Sequence, residues 1–141
     1  MEKWILYALI SMVFAGFTAV IAKLGLTGIS GDLGLAIRTC FVFVFTLLFA
    51  AAVVPRAELA AVSTSNVVWL GLSAITTTVS WVFYYKAIKL GEVSSVALID
   101  KGSVIVSVLL AVVILREALT MQKVFGAVLV VSGIVVIARS A

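Results

Sequence analysis

Residues 33–54 run LGLAIRTCFVFVFTLLFAAAVV and stop at Pro55 and Arg56. These 22 residues hold a single charge, Arg38. A bilayer core about 30 Å thick takes roughly 20 apolar residues of helix. The stretch is therefore long enough to cross a membrane, and the proline gives it a stop. Strands are excluded on physical grounds. In lipid every backbone polar group must be paired within the structure, which leaves helices and closed barrels. A barrel strand would alternate polar and apolar positions over about ten residues, and this stretch does not.

Four more stretches of the same kind lie around it. The first covers about 4–22 and ends before Lys23, the third about 66–88, the fourth about 94–115 and the fifth about 122–138. The apolar part of the first exceeds the roughly 7–15 residues of a signal peptide and four spans follow it, so a retained helix is expected. Between the first two spans lies GLTGISGDLG at 25–34, with glycines three apart. Without proline, and with so few repeats, it reads as a flexible loop, not collagen. The expected fold is an all-α integral membrane bundle of five transmembrane helices, forming one domain over residues 1–141.

Composition agrees. Hydrophobic residues make up 65% and charged residues 11%, with a mean hydropathy of +1.35. A water-soluble domain carries about 25% charged residues to cover its surface. Histidine is absent and Cys40 is the only cysteine. This removes imidazole chemistry, an internal disulfide and cysteine zinc sites, and no metal or cofactor is implied. The net charge of +4 has no basic patch interleaved with aromatics, so no nucleic-acid partner is expected. Scattered positive charges speak instead to topology. With five spans, Lys3, Arg56, Arg116 and Lys123 fall on the N-terminal side, and Lys23, Lys86, Lys89 and Arg139 on the other. The two sides balance, and only Arg38 and Lys101 would tilt the orientation.

Polar residues inside spans are costly unless paired or wet, and so carry information. Arg38 in the second span and Asp100 and Lys101 in the fourth lie at similar depth from the same side. Arg38 and Asp100 are thus plausible partners, either as a structural ion pair or as part of a site. Lys101 points about 100° away from Asp100 and is expected to meet another helix or a headgroup. Three helices also show polar or aromatic stripes at helical spacing. They are Tyr7, Ser11, Phe14 and Thr18 on the first, Ser73, Thr77, Trp81 and Tyr84 on the third, and Asp100, Ser103 and Ser107 on the fourth. The stripes suit a shared, partly wet cavity, or helix packing in which each hydroxyl bonds back to its own helix. Gly126 and Gly133 share a face of the fifth span, where small residues favour close helix contact. Cys40 is expected to be buried. No phosphate-binding loop, nucleophile elbow or carboxylate pair within a span is present, so no enzyme is predicted.

Several segments are familiar. SMVFAGFTAVIAKLGL at 11–26, AIRT at 36–39, SWVFYYKAIKLGEVSSVALIDKGSV at 80–104 and ILREALT-x5-GAVLVVSGIVV from 114 resemble the EamA-type drug/metabolite transporter superfamily. The likeness is greatest to its short, five-span, single-repeat bacterial and archaeal members. It implies a multi-pass protein of the prokaryotic plasma (inner) membrane. It also implies a central pathway lined by the first four helices of each repeat. GAVLVVSG further resembles the glycine-x6-glycine dimer contact of small multidrug resistance proteins, whose acidic residue in the first helix is absent here. Two positions depart from the pattern. Leu98 stands where short members often carry proline before I-D-K, so a helix break there has no proline to enforce it. Arg116 stands where a glycine usually precedes the glutamate of the fourth-to-fifth turn.

The expected function is a half-size transporter, acting as an antiparallel homodimer, that moves a small polar or amphipathic metabolite by alternating access. The partners expected are the lipid bilayer, the small-molecule substrate and a second copy. Trp81, Tyr84 and Phe14 would stack on substrate, Arg38 and Lys101 would meet anionic groups, and Asp100 would meet cationic groups or a proton. The alternatives are a non-transporting membrane scaffold or assembly subunit, and a dual-topology ion channel.

Overall fold

The computed structural model describes residues 2–139. These form α1 (Lys3–Gly25), α2 (Gly31–Val53), the single turn α3 (Arg56–Leu59), α4 (Thr64–Leu90), α5 (Val93–Asp100), α6 (Ser103–Ile114) and α7 (Met121–Ala138). No strand occurs among the described residues. Five segments are long and apolar enough to cross a membrane: α1, α2, α4, α5 with α6 taken together, and α7. Their large side chains face outward, with Phe45 and Phe49 each 63% exposed and Trp69 69%. In water that surface would be ruinous; in lipid it is the solvated face.

Local chemistry sets the helix ends. Ser30 caps α2 by accepting from the Leu33 amide at 3.2 Å, and Asp32 lies in the first turn, where a negative charge suits the helix dipole. Pro55, with φ −63°, ends the run and opens α3. Ser63 and Asn66 form a reciprocal cap before α4. The Ser63 amide donates to Asn66 Oδ1 at 3.0 Å and the Asn66 amide to Ser63 Oγ at 3.2 Å, the arrangement of a capping box. Thr120 caps α7 through the Lys123 amide at 3.3 Å.

The chain forms two compact units, Val20–Leu90 and a second made of α1 up to Ala19 with the chain from Gly91 onward. In the first unit α2 packs on α4, and Leu26, Leu35, Tyr85 and Ile88 are buried. The expected flexible loop at 25–34 is an ordered turn. Gly28 adopts φ +77°, Thr27 Oγ1 donates to Leu24 O at 2.8 Å, and helix resumes at Gly31. Gly31 and Gly34 stand in the helix at positions where neighbours occupy the space of a side chain. A Cβ on Gly31 would lie 2.8 Å from the Tyr85 carbonyl oxygen, and one on Gly34 would collide with Leu26 Cδ2.

In the second unit α5 and α6 pack on α7. The helix expected over 94–115 is divided at Lys101 and Gly102. There the Gly102 amide bonds Ile99 O at 2.9 Å, Val104 bonds Lys101 O at 3.1 Å and Ile105 bonds Gly102 O at 3.0 Å. These i to i−3 bonds tighten the turn into 3₁₀ form. Gly102 also sits where a Cβ would come within 3.0 Å of Ile134 Cδ1. After α6, Arg116 takes φ +56°, and the Glu117 amide returns to Ala111 O at 3.2 Å.

Two variants test these contacts. Gly31→Ala pushes a methyl against backbone that cannot yield, and overpacking of this kind costs about 1–3 kcal/mol. Its melting temperature in detergent should fall below wild type; an unchanged value would show that the close approach is dispensable. Arg116→Gly should do the opposite. A side chain in the left-handed region costs about 1–2 kcal/mol, and Arg116 is exposed, so glycine there should raise the melting temperature. A drop would mean that the arginine makes a stabilising contact.

Candidate functional site

The site is built at the α2–α4 pair, within the unit Val20–Leu90. At the Leu90 end of α4 the backbone carbonyls would lack partners, since the last turn of any helix leaves them unpaired. Lys23 supplies donors there, and Lys89 in return bonds a carbonyl just past α1. Lys23 Nζ donates to Ile88 O, and to Lys89 O at 3.5 Å, while Lys89 Nζ donates to Leu26 O at 2.8 Å. Cations at a helix C-terminus also suit its dipole. Lys86 lies 3.6 Å from Asp32, tying the start of α2 to the same end of α4.

Arg38 lies seven residues into α2, about 10 Å along its axis. Its guanidinium carbon sits 4.4 Å from the Trp81 ring centroid and 5.9 Å from that of Tyr85. Both distances are within cation–π range. Tyr85 is buried and meets Tyr84 edge-on, with ring centroids 6.3 Å apart. Arg38 and Trp81 are half-buried.

Trp81 also walls an open groove of about 530 Å³ between α2 and α4. From α2 it is lined by Asp32, Leu35, Ala36, Thr39, Cys40 and Phe43; from α4, by Thr78, Trp81 and Val82. Thr39 Oγ1 donates to Leu35 O and Thr78 Oγ1 to Ala74 O, both at 2.8 Å. Their donors are spent within their own helices. The volume is in the range of small-molecule sites. Cys40, expected to be buried, is exposed and faces this groove.

The remaining sequence candidates are placed as follows. Thr77 lies on α4 and donates to Ser73 O at 2.8 Å. In the second unit, Ser11, Phe14 and Thr18 are exposed on α1, with Thr18 Oγ1 donating to Phe14 O at 2.9 Å. Asp100 ends α5 and lies 3.8 Å from Lys101 Nζ. The lysine was expected to point elsewhere, but the tightened turn brings the neighbouring side chains together. Ser103 and Ser107 are exposed on α6. Gly126 and Gly133 on α7 have open space where a Cβ would stand.

Sequence reasoning overlooked most of the groove wall. Asp32, Leu35, Ala36, Thr39, Cys40 and Phe43 recur at helical spacing on one face of α2, a signal present but mixed in polarity. The lysine clasp was hidden because Lys23 and Lys89 look like ordinary flanking charges.

The profile of the EamA-like transporter family matches residues 2–139. A protein from a Sinorhizobium species, described as an uncharacterized transporter in the cobO 3′ region, is similar to this chain. The two are 31% identical over 137 residues, which cover 97% of each. No solved structure matches. With five membrane-length helices, and a family profile that follows them from one end of the described chain to the other, this multi-pass membrane protein belongs to the EamA-like transporter family.

Proposed function

We propose that the protein is a half-size transporter, working as an antiparallel homodimer in a prokaryotic plasma membrane and moving a small polar or amphipathic metabolite by alternating access. The observation that carries this reading is Arg38. A permanently charged side chain inside an apolar span is expensive and marks a pathway or site by default. Here it lies against Trp81, which also walls an open groove. The dimer is supported by the balanced positive charges on the two sides and by the uncovered glycines of α7. The relative's match along 97% of its own length also supports a single five-helix unit as the repeating element. Two such units in opposite orientation would form the inverted pair on which alternating access rests.

Purified protein in liposomes should show saturable flux of a metabolite found by screening a library for thermal stabilisation in detergent. Trp81→Ala should cut that flux severalfold. Fast, non-saturating ion leak would instead indicate a channel, and no flux of any kind a scaffold.

Orientation is tested separately. With Cys40→Ser and a new cysteine at Thr64, at the start of α4, an impermeant maleimide added to cells should label about half the molecules, as balanced topology requires. Labelling of all molecules or none would reject the antiparallel arrangement.

A further inference from the structure

We propose that a groove between α6 and α7 is a binding site for an anionic phospholipid, with one acyl chain lying in the groove and the headgroup phosphate held on the connection between the two helices. Such a site is independent of whether the protein moves a solute.

The groove lies within the unit that holds the chain from Gly91 onward, and measures about 350 Å³. Ile105 and Leu109 belong to its wall on α6, Val124, Ala127 and Ser132 to its wall on α7, and Leu119 joins from the connection. Val124 to Ser132 spans about 12 Å of helix. One leaflet, half of a core about 30 Å thick, gives an acyl chain roughly 15 Å. The groove thus starts near the membrane interface and follows one chain through most of its leaflet. Its wall is apolar except for Ser132, whose hydroxyl donates to Val128 O at 2.8 Å. A polar metabolite would lose its hydration there for no donor in return, whereas a hydrocarbon chain needs none. A second copy suits the opposite face. Gly126 and Gly133, open to close helix contact, lie about 180° around α7 from the groove.

Charge at the mouth selects the headgroup. Lys123 Nζ lies 3.2 Å from Glu117 Oε2 and 3.1 Å from the Ala118 carbonyl oxygen, one residue from Leu119 in the groove wall. These contacts place an ammonium at the interfacial end of the groove and use two of its three donors. The third suits a phosphate oxygen, as a charge-assisted bond. Residues 115–123 carry two cations, Arg116 and Lys123, against one acid, Glu117, and so keep one net positive charge. Arg116 is exposed, has no hydrogen-bond or ion-pair partner among the described residues and holds φ +56°, a conformation glycine adopts at less cost. A basic side chain carried at that cost beside the membrane surface is drawn to anionic headgroups.

The test is native mass spectrometry of the full chain in neutral detergent, with dioleoyl phosphatidylglycerol and dioleoyl phosphatidylcholine added in equal amounts. Wild type should retain one phosphatidylglycerol per chain, several-fold more often than phosphatidylcholine. Dihexanoyl phosphatidylglycerol, with the same head and short chains, should be retained several-fold less. Lys123→Gln and Arg116→Gln should each lower the preference for phosphatidylglycerol several-fold. Glu117→Gln breaks the same ion pair as Lys123→Gln but leaves the connection more positive, so it should raise that preference. A merely structural ion pair would make the two variants alike. Ala127→Phe fills the groove and should lose most of the retained lipid. An unchanged melting temperature shows that a variant keeps its fold, and if Ala127→Phe does not fold, Ala127→Leu carries the same expectation with less added bulk.

Equal retention of the two dioleoyl lipids by wild type would overturn the proposal, as would a reduced preference in Glu117→Gln. Full retention in a folded groove-filling variant would place the lipid elsewhere and defeat it too. If that variant keeps its lipid and instead dissociates a dimer, the occupant of the groove is a second copy.

Discussion

A guanidinium is a delocalised, weakly hydrated cation, and Arg38 brings that charge into the second span. A charge at the centre of a spanning helix costs about 2.5–3.5 kcal/mol on insertion scales, and less toward the interface. A cation–π contact returns about 0.5–2 kcal/mol. Trp81 therefore offsets part of the cost and leaves the rest to water or to a ligand. A carboxylate partner would offset more, but would occupy the N–H donors, which a ring face leaves unused.

That contact depends on α2 and α4 lying close together, and the closeness has its own causes. Gly31 lets α2 approach the Tyr85 carbonyl, and Gly34 makes room for Leu26. The lysine clasp then satisfies carbonyls that lipid could not. Packing and polar satisfaction act on the same end of the pair: Leu26 and Ile88, the most deeply buried side chains, lend their carbonyls to Lys89 and Lys23. The first turns of α2 are thereby held against α4, with Arg38 and Trp81 a turn or two farther along.

The five spans were legible because lipid imposes a simple rule: length, apolar composition and few charges suffice. Arg38 was legible as a cost, and Trp81 as a member of a stripe on its own helix. Their meeting was not, because a stripe tells which face of one helix is special but not which helix it meets. The glycines at 25–34 misled for a related reason. Glycine spacing alone does not separate a loose loop from a tight turn with two glycines at helix contacts; the outcome depends on Leu26 and Tyr85, which fill the space. Individual threonine hydroxyls turned out to serve their own helices at Thr18, Thr77, Thr39 and Thr78. That is the usual habit of the residue in an apolar medium, and polarity by itself could not reveal it.

Two departures from the family pattern show where backbone shape comes from. Leu98 replaces a frequent proline, yet the fourth span still tightens a few residues later, at Lys101 and Gly102. Arg116 replaces a usual glycine, yet the backbone still takes φ +56°. Local propensity would resist the second outcome and does not require the first. The surroundings supply what the residues do not. Gly102 sits against Ile134 of α7, and the turn after α6 is held by Glu117 returning its amide to Ala111 and its carboxylate to Lys123 at 3.2 Å. Lys123 donates as well to the Ala118 carbonyl, so one side chain of α7 holds two adjacent residues of the connection. Tertiary contacts can thus hold a backbone conformation that the local residue does not favour, at a tolerable local cost. The fold is encoded less in those single positions than in the helix that waits to receive them.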